Sequence, residues 1–246
     1  METAMDLSDK VIVVTGASRG LGLGIAKVAL DAGASLGLCS RSSGPWVEQP
    51  RVLHERLDVR DGTALEAFAE RVCAAYGHID LWINNAGLLG PVGPLRDADM
   101  DELAQACAVN VLGVLFGSRI YARLCARDSS TGILFNISSG AGRRAYAGWS
   151  SYCASKAAVD RLSEVVALEE VGRLRVHAVA PGVIESDMQA EVRAMSAQQF
   201  PEVEKFRALH HDGLLASPEA AGTAMLRLAF EAGLAPSAVC VDLRDL

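Results

Sequence analysis

The 246-residue sequence has no Cys-x-x-Cys pair, and none of its Cys/His groups has the spacing of a zinc site. Its six cysteines, Cys39, Cys73, Cys107, Cys125, Cys153 and Cys240, read as small buried thiols in a reducing compartment. There is no basic excess. The formal net charge of -7 argues against a nucleic-acid partner, because counterion release needs a basic face. Met1 to Lys10 carries acids and no apolar stretch, so no secretory signal is expected. The longest charge-free stretch, Leu103 to Ser118, contains Gln105 and Asn110 and is shorter than the ~20 residues a bilayer span requires. No repeat, low-complexity segment or linker interrupts the chain. These absences leave a soluble, cytoplasmic protein without a membrane or nucleic-acid partner.

What is present is enough for one large domain over 1–246: half the residues are hydrophobic and 22% are charged. Apolar runs alternate with helical stretches throughout. The strands expected are Lys10 to Thr15, Ser35 to Cys39, Val52 to Leu57, Ile79 to Asn84, Gly132 to Ile137, Arg175 to Val179 and Ala238 to Val241. Helices are expected over Gly20 to Ala32, from the cap Asp61 to Tyr76, from Asp97 to about Arg123, and over Ser150 to Val171. Such alternation implies a parallel sheet with helices on both faces. Glu185 to Gly213 breaks the rhythm as a helical insertion between two strands, of the kind that covers a ligand at the carboxyl edge of a sheet.

The first strand runs into Thr15-Gly16-Ala17-Ser18-Arg19-Gly20-Leu21-Gly22. The spacing is Gly-x-x-x-Gly-x-Gly rather than Gly-x-Gly-x-x-Gly. Glycines here allow a tight turn and let a pyrophosphate approach the next helix N-terminus. A carboxylate that would bind a ribose 2′-hydroxyl is missing from the end of the second strand, which reads Cys39-Ser40-Arg41. Arg41, and Arg19 in the turn, offer guanidinium groups suited to a 2′-phosphate, which favours NADP(H) over NAD; the other reading makes both solvated surface charges.

Tyr152 and Lys156 stand four apart at a helix start and share a face. A phenol is a poor acid or base at neutral pH unless a cation stabilises its anion, and Lys156 supplies one a turn away. Ser139 ends the preceding strand, where its hydroxyl can hold a substrate oxygen.

With Thr15 to Gly22, Asn84-Asn85-Ala86-Gly87, Asn110, Ser138-Ser139, Tyr152-x-x-x-Lys156 and Pro181-Gly182, the sequence resembles the short-chain dehydrogenase/reductase family over nearly its whole length. In its second half it is most similar to the sepiapterin reductase and benzil reductase branch, through Ala180 to Gln189, Arg193, Gly213-Leu214-Leu215, Ser217-Pro218-Glu219 and Val241-Asp242-Leu243. The resemblance implies a single Rossmann-type, doubly wound domain with a seven-stranded parallel sheet in the order 3-2-1-4-5-6-7. It implies a catalytic set of Asn110, Ser139, Tyr152 and Lys156, the serine being thirteen residues before the tyrosine. Tyr152 would exchange a proton with a carbonyl as hydride moves to or from the nicotinamide, with Lys156 lowering its pKa. Ser139 would polarise the carbonyl, and Asn110 would organise a water relay to Lys156. The implied cofactor contacts are Gly16, Ser18, Arg19, Gly20, Leu21, Gly22, Ser40, Arg41, Asp58 (to adenine), Val59, Asn85, Ala86, Gly87, Tyr152, Lys156, Pro181, Gly182 and Ile184, with Asn84 shaping the wall. No metal is implied.

The family's Val-Asp-Gly-Gly ending is absent, since Leu243 and Arg244 stand where it has glycines. Asp242 either meets a substrate or packs at the sheet end. Met188, Met195, Phe200 and Phe206 in the insertion, with Tyr146 and Trp149, suggest a pocket for an apolar or aromatic carbonyl compound, or else core packing of the insertion. Arg143 and Arg144 read as solvated charges or as contacts to an acidic substrate. The helix around Leu103 to Ser118 is apolar all round, which fits burial against a second subunit. The resemblance implies a homodimer or homotetramer through it and the Tyr152 helix. The expected activity is NADPH-dependent reduction of ketones or diketones; the alternative is a non-catalytic NADP-binding sensor of reductase-like fold.

Overall fold

The computed structural model describes residues 5–46, 49–231 and 238–246. Seven parallel strands form one sheet in the order β3-β2-β1-β4-β5-β6-β7, as the resemblance implies. They are β1 (Val11–Thr15), β2 (Ser35–Ser40), β3 (Val52–Arg56), β4 (Leu81–Asn84), β5 (Gly132–Ile137), β6 (Leu174–Ala180) and β7 (Cys240–Asp242). β1 is β-branched and buried at every position, as a central strand covered on both faces must be. Its side chains alternate: Ile12 and Val14 enter one core layer, Val11 and Val13 the other. β3 ends a residue earlier than the expected Leu57 and is only partly buried, as befits the sheet edge.

The first layer is closed by α1 (Gly20–Asp31) and α8 (Pro218–Phe230). They cross backbone to backbone: a Cβ on Gly24 would lie 2.3 Å from the Pro218 carbonyl carbon, and one on Gly222 would lie 2.9 Å from Ile25 Cα. The apolar pattern assigns no element to α8, although Ser217 caps it, its hydroxyl accepting from Ala220 N at 3.0 Å, with Pro218 in the first turn.

The other face carries α2 (Gly62–Tyr76), α3 (Met100–Cys107), α4 (Gly113–Arg127) and α5 (Ser150–Glu169). The expected start at Asp97 is displaced, because that residue lies in a 3-10 turn. Asp99 makes the cap, accepting from the backbone N–H of Asp101 at 2.8 Å and of Glu102 at 3.0 Å. Between α3 and α4 the helix widens into a π turn, Ala108–Leu112. The run Met100–Arg127 is long and apolar enough to cross a bilayer by length and composition, yet Ile120, Tyr121 and Leu124 are packed in the core, with Tyr121 stacked on Trp82.

A satisfied polar network ties this layer together. Trp82 Nε1 donates to Asn84 Oδ1 at 2.8 Å, Asn84 Nδ2 to Asn136 Oδ1 at 2.8 Å, and Asn136 Nδ2 to Ser163 Oγ at 3.0 Å. Asn84 is therefore a bolt between β4, β5 and α4, facing away from the cofactor wall it was expected to shape.

The insertion folds into α6 (Asp187–Ala194) and α7 (Val203–His211), pinched at its base by a parallel bridge between Ile184 and Ala216.

Candidate active site

At the carboxyl ends of the central strands lies one cavity of about 710 Å³. Of the implied catalytic set and the eighteen implied cofactor contacts, every one except Asn110 lines it. Its outer end is the glycine turn. Gly16 and Gly20 have φ of +70° and +53°, and a Cβ on Gly22 would meet the Gly16 carbonyl oxygen at 2.4 Å. β4 braces this turn: Asn85 Nδ2 donates to the Thr15 carbonyl at 2.8 Å, and the Thr15 hydroxyl accepts from the Asn85 and Ala86 amides at 3.0 and 3.1 Å. No side chain caps α1 and its first turn holds no acid, so its N–H groups remain available to an anion. These features fit a dinucleotide pyrophosphate.

Around the end of β2, Ser18, Ser40, Arg41 and Ser42 line the cavity, and the Ser42 hydroxyl donates to Ser18 Oγ at 2.9 Å. Two expected contacts have other partners. Arg60 Nη2 chelates Asp58 at 2.6 Å and holds its carboxyl below the usual range. Arg19 reaches Asp187 on α6 at 3.1 Å, linking the turn to the insertion. Neither was legible from spacing, since Arg60 is an ordinary exposed charge in sequence and Asp187 is 168 residues from Arg19.

At the inner end stand Ser139, Tyr152 and Lys156. Ser139 leaves β5 and caps a 3-10 turn, its Oγ accepting from Ala141 N at 3.2 Å, and it lines the cavity together with Tyr152. Its neighbour Ser138 donates instead to Asp160 on α5, which fixes the strand end against the helix. Lys156 Nζ donates to the Ile137 carbonyl at 2.8 Å and lies 5.6 Å from the centre of the Tyr152 ring. Burial lowers its pKa to about 8, against the pull of Asp160. Burial also raises the Tyr152 pKa, and the neighbouring Ser139 hydroxyl opposes that rise.

Asn110, on the π turn, is buried behind the wall. Its amide clasps Leu88, donating to the carbonyl at 2.8 Å and accepting from the N–H at 2.8 Å, and donates to Ser155 Oγ at 3.1 Å. The side chain thus shapes the chain leaving β4.

Over the inner end the insertion and the loop before α5 form an aromatic cluster. Trp149 stacks on Phe200 at 4.4 Å, and Tyr146, Tyr152 and Phe206 pack around the Trp149 ring. Tyr146, Trp149, Met188 and Phe206 reach the cavity, whereas Phe200 is wholly buried. Arg244, noted in sequence only as a missing glycine, also lines the cavity. Asp242 chelates it, through Nε at 2.8 Å and Nη2 at 2.6 Å.

A family model described as short chain dehydrogenase matches residues 10–197. A benzil reductase ((S)-benzoin forming) of Bacillus subtilis (strain 168) is 32% identical over 227 residues, covering 89% of this chain and 93% of the relative. One of Bacillus cereus is 28% identical over 232 residues, with the same coverage of 89% and 93%. Among solved structures, the crystal structure of the KRED1-Pglu enzyme has a TM-score of 0.84 at 32% identity, covering 94% of this chain and 100% of that one. The expected kinship with benzil reductases is borne out. With its sheet order, its glycine turn and its match over most of the chain, the protein belongs to the short chain dehydrogenase/reductase family of nicotinamide-dependent oxidoreductases.

Proposed function

We propose that this protein is an NADPH-dependent carbonyl reductase acting on ketones or diketones through Ser139, Tyr152 and Lys156. The observation that carries the reading is the joining of two ends in one cavity: an uncapped helix N-terminus with a glycine cradle outside, and Ser139, Tyr152 and Lys156 inside. The bound dihydronicotinamide would supply hydride to the carbonyl carbon. Tyr152 gives its proton to the carbonyl oxygen, which Ser139 holds. Lys156, a cation below about pH 8, stabilises the phenolate left behind and would hold the nicotinamide ribose. Asn110 acts as a positioning residue through Leu88 and Ser155.

NADP is preferred to NAD because β2 ends without a carboxylate, and Arg41 with Ser18, Ser40 and Ser42 lines the place where the 2′-phosphate would sit. Because the Bacillus relatives are benzil reductases, benzil is the natural first substrate. The deciding experiment follows nicotinamide absorbance with benzil and related ketones, comparing NADPH with NADH. Turnover of benzil with a preference for NADPH is expected; no turnover of any ketone with either cofactor overturns the reading.

A homodimer or homotetramer belongs to the same proposal. Leu112 beside α4, Leu115 on it, and Val165 and Leu168 on α5 are exposed large apolar side chains, none of which lines the cavity. Light scattering at twice the chain mass or more is the expected result. The six free thiols suit a reducing, cytoplasmic setting.

A further inference from the structure

We infer that Arg244 is a substrate-specificity residue that receives a carboxylate, so that the preferred substrates are aromatic keto acids; this deepens the carbonyl-reductase reading and rests on it. The guanidinium lies over the mouth of the inner cavity. Its Nη2 is 3.7 Å from where a Cβ on Gly140, the residue after Ser139, would stand, and its Cγ and Cδ are each 3.5 Å from the corresponding point on Gly182. Both distances are ordinary van der Waals contacts, which places the Arg244 side chain against the backbone beside Ser139 and Pro181.

The group is held rather than loose. Asp242 is 8% exposed and fixes it bidentately, while also accepting from the Arg244 N–H at 3.1 Å. An arginine carries five N–H donors in a planar fork. Two of them meet Asp242, and among the described residues the rest have no partner. They are directed by a clamped plane, which is how a carboxylate is recognised with little loss of side-chain freedom.

The local charge agrees. Arg143 Nη2 approaches the same Asp242 at 3.9 Å, so two cations face one carboxylate. Elsewhere on the rim Arg144 is paired with Glu202, and Lys205 lies over the Tyr146 ring at 5.4 Å. Other carboxylates line the cavity, but Arg60 chelates Asp58 and Arg19 pairs with Asp187, which leaves Glu191 on α6. Arg244 thus brings a guanidinium to the cavity wall beside Ser139 in a chain of net charge -7. Tyr146, Trp149 and Phe206 supply the wall for an aromatic ring. In the reaction the keto carbon gains the hydride and its oxygen the Tyr152 proton, with oxidation of the dihydronicotinamide; the carboxylate passes through unchanged and the product is a hydroxy acid.

The test uses phenylglyoxylate and its methyl ester, which share the ring and the adjacent dicarbonyl but differ in charge. In Arg244→Gln the ratio of kcat/KM for acid over ester should fall by about tenfold or more, carried by KM for the acid, and Arg143→Gln should move it the same way by less. Calorimetric titration of the NADP-loaded protein with phenylglyoxylate should show matching weakening. Equal losses on both substrates, or an unchanged ratio, overturn the assignment, as does a wild-type enzyme that reduces the ester and not the acid. Those outcomes leave the carbonyl-reductase reading standing; failure to reduce the ester and benzil as well removes both.

Discussion

The two ends of the cavity are built in different ways. At the outer end the wall is backbone: glycines at positive φ, an uncapped helix start and a threonine–asparagine brace, with a Cβ on Gly22 blocked at 2.4 Å by a main-chain oxygen. At the inner end the wall is side chain: an aromatic cluster carried on the insertion and a loop, and an arginine fixed by an aspartate. A backbone wall tolerates almost no substitution but fits one invariant chemical group. A side-chain wall can be changed residue by residue, and there selectivity for the variable partner resides.

Breaking this comparison has its largest effect where the ends meet. Tyr152→Phe should lower kcat about 10³-fold or more while NADPH binding, measured by fluorescence titration, stays within about twofold; a comparable loss of cofactor affinity would show that the ends are not separable. Next, Arg41→Ala should weaken NADPH about 10–100-fold relative to NADH, since charge-assisted hydrogen bonds to the phosphate are lost. Equal effects on both cofactors would remove Arg41 from the phosphate site.

A smaller effect comes from pH. Burial depresses the Lys156 pKa to about 8, so its charge is present below that value and lost above it. The phenol is shifted the other way and remains protonated through this range. Reduction kcat/KM should therefore be level up to about pH 8 and fall about tenfold per unit beyond; a level profile to pH 10 would show that the ammonium charge is not required. Smallest, Phe206→Leu should cost about 1 kcal/mol of unfolding free energy from lost ring packing, with cofactor affinity unmoved. A urea titration checks the first part, and a weakened cofactor would mean that the insertion supports both ends.

The sequence disclosed the outer end well because backbone chemistry leaves a residue signature: glycine where φ is positive, a serine or aspartate where a helix begins. It disclosed the spacing of Ser139, Tyr152 and Lys156, because a strand end and one helix face bring them together over a short loop. What stayed hidden depended on distant partners. The Arg19–Asp187 pair, the lattice running from Trp82 through Asn84 and Asn136 to Ser163, and the seat of Arg244 all join residues that no local periodicity relates. The π turn was hidden for a different reason: one extra residue in a helical turn scarcely disturbs an apolar stripe. Helix α8 shows the reverse case, a strong start signal at Ser217-Pro218 in a stretch whose small residues carry little amphipathic contrast.

Ile184 and Ala216 lie side by side, with Glu185 N donating to the Ala216 carbonyl and Ala216 N to the Val183 carbonyl, both at 3.0 Å. Everything between them is a detour that departs from the sheet and returns to the same spot, while α8 beyond it is keyed to α1. The sheet thus does not sense how long that excursion is; doubling a flexible loop adds only about 0.6 kcal/mol of closure cost. The residues from 187 to 213 form a cassette, and exchanging it with that of a relative offers a direct route to re-aiming this scaffold at a different carbonyl compound.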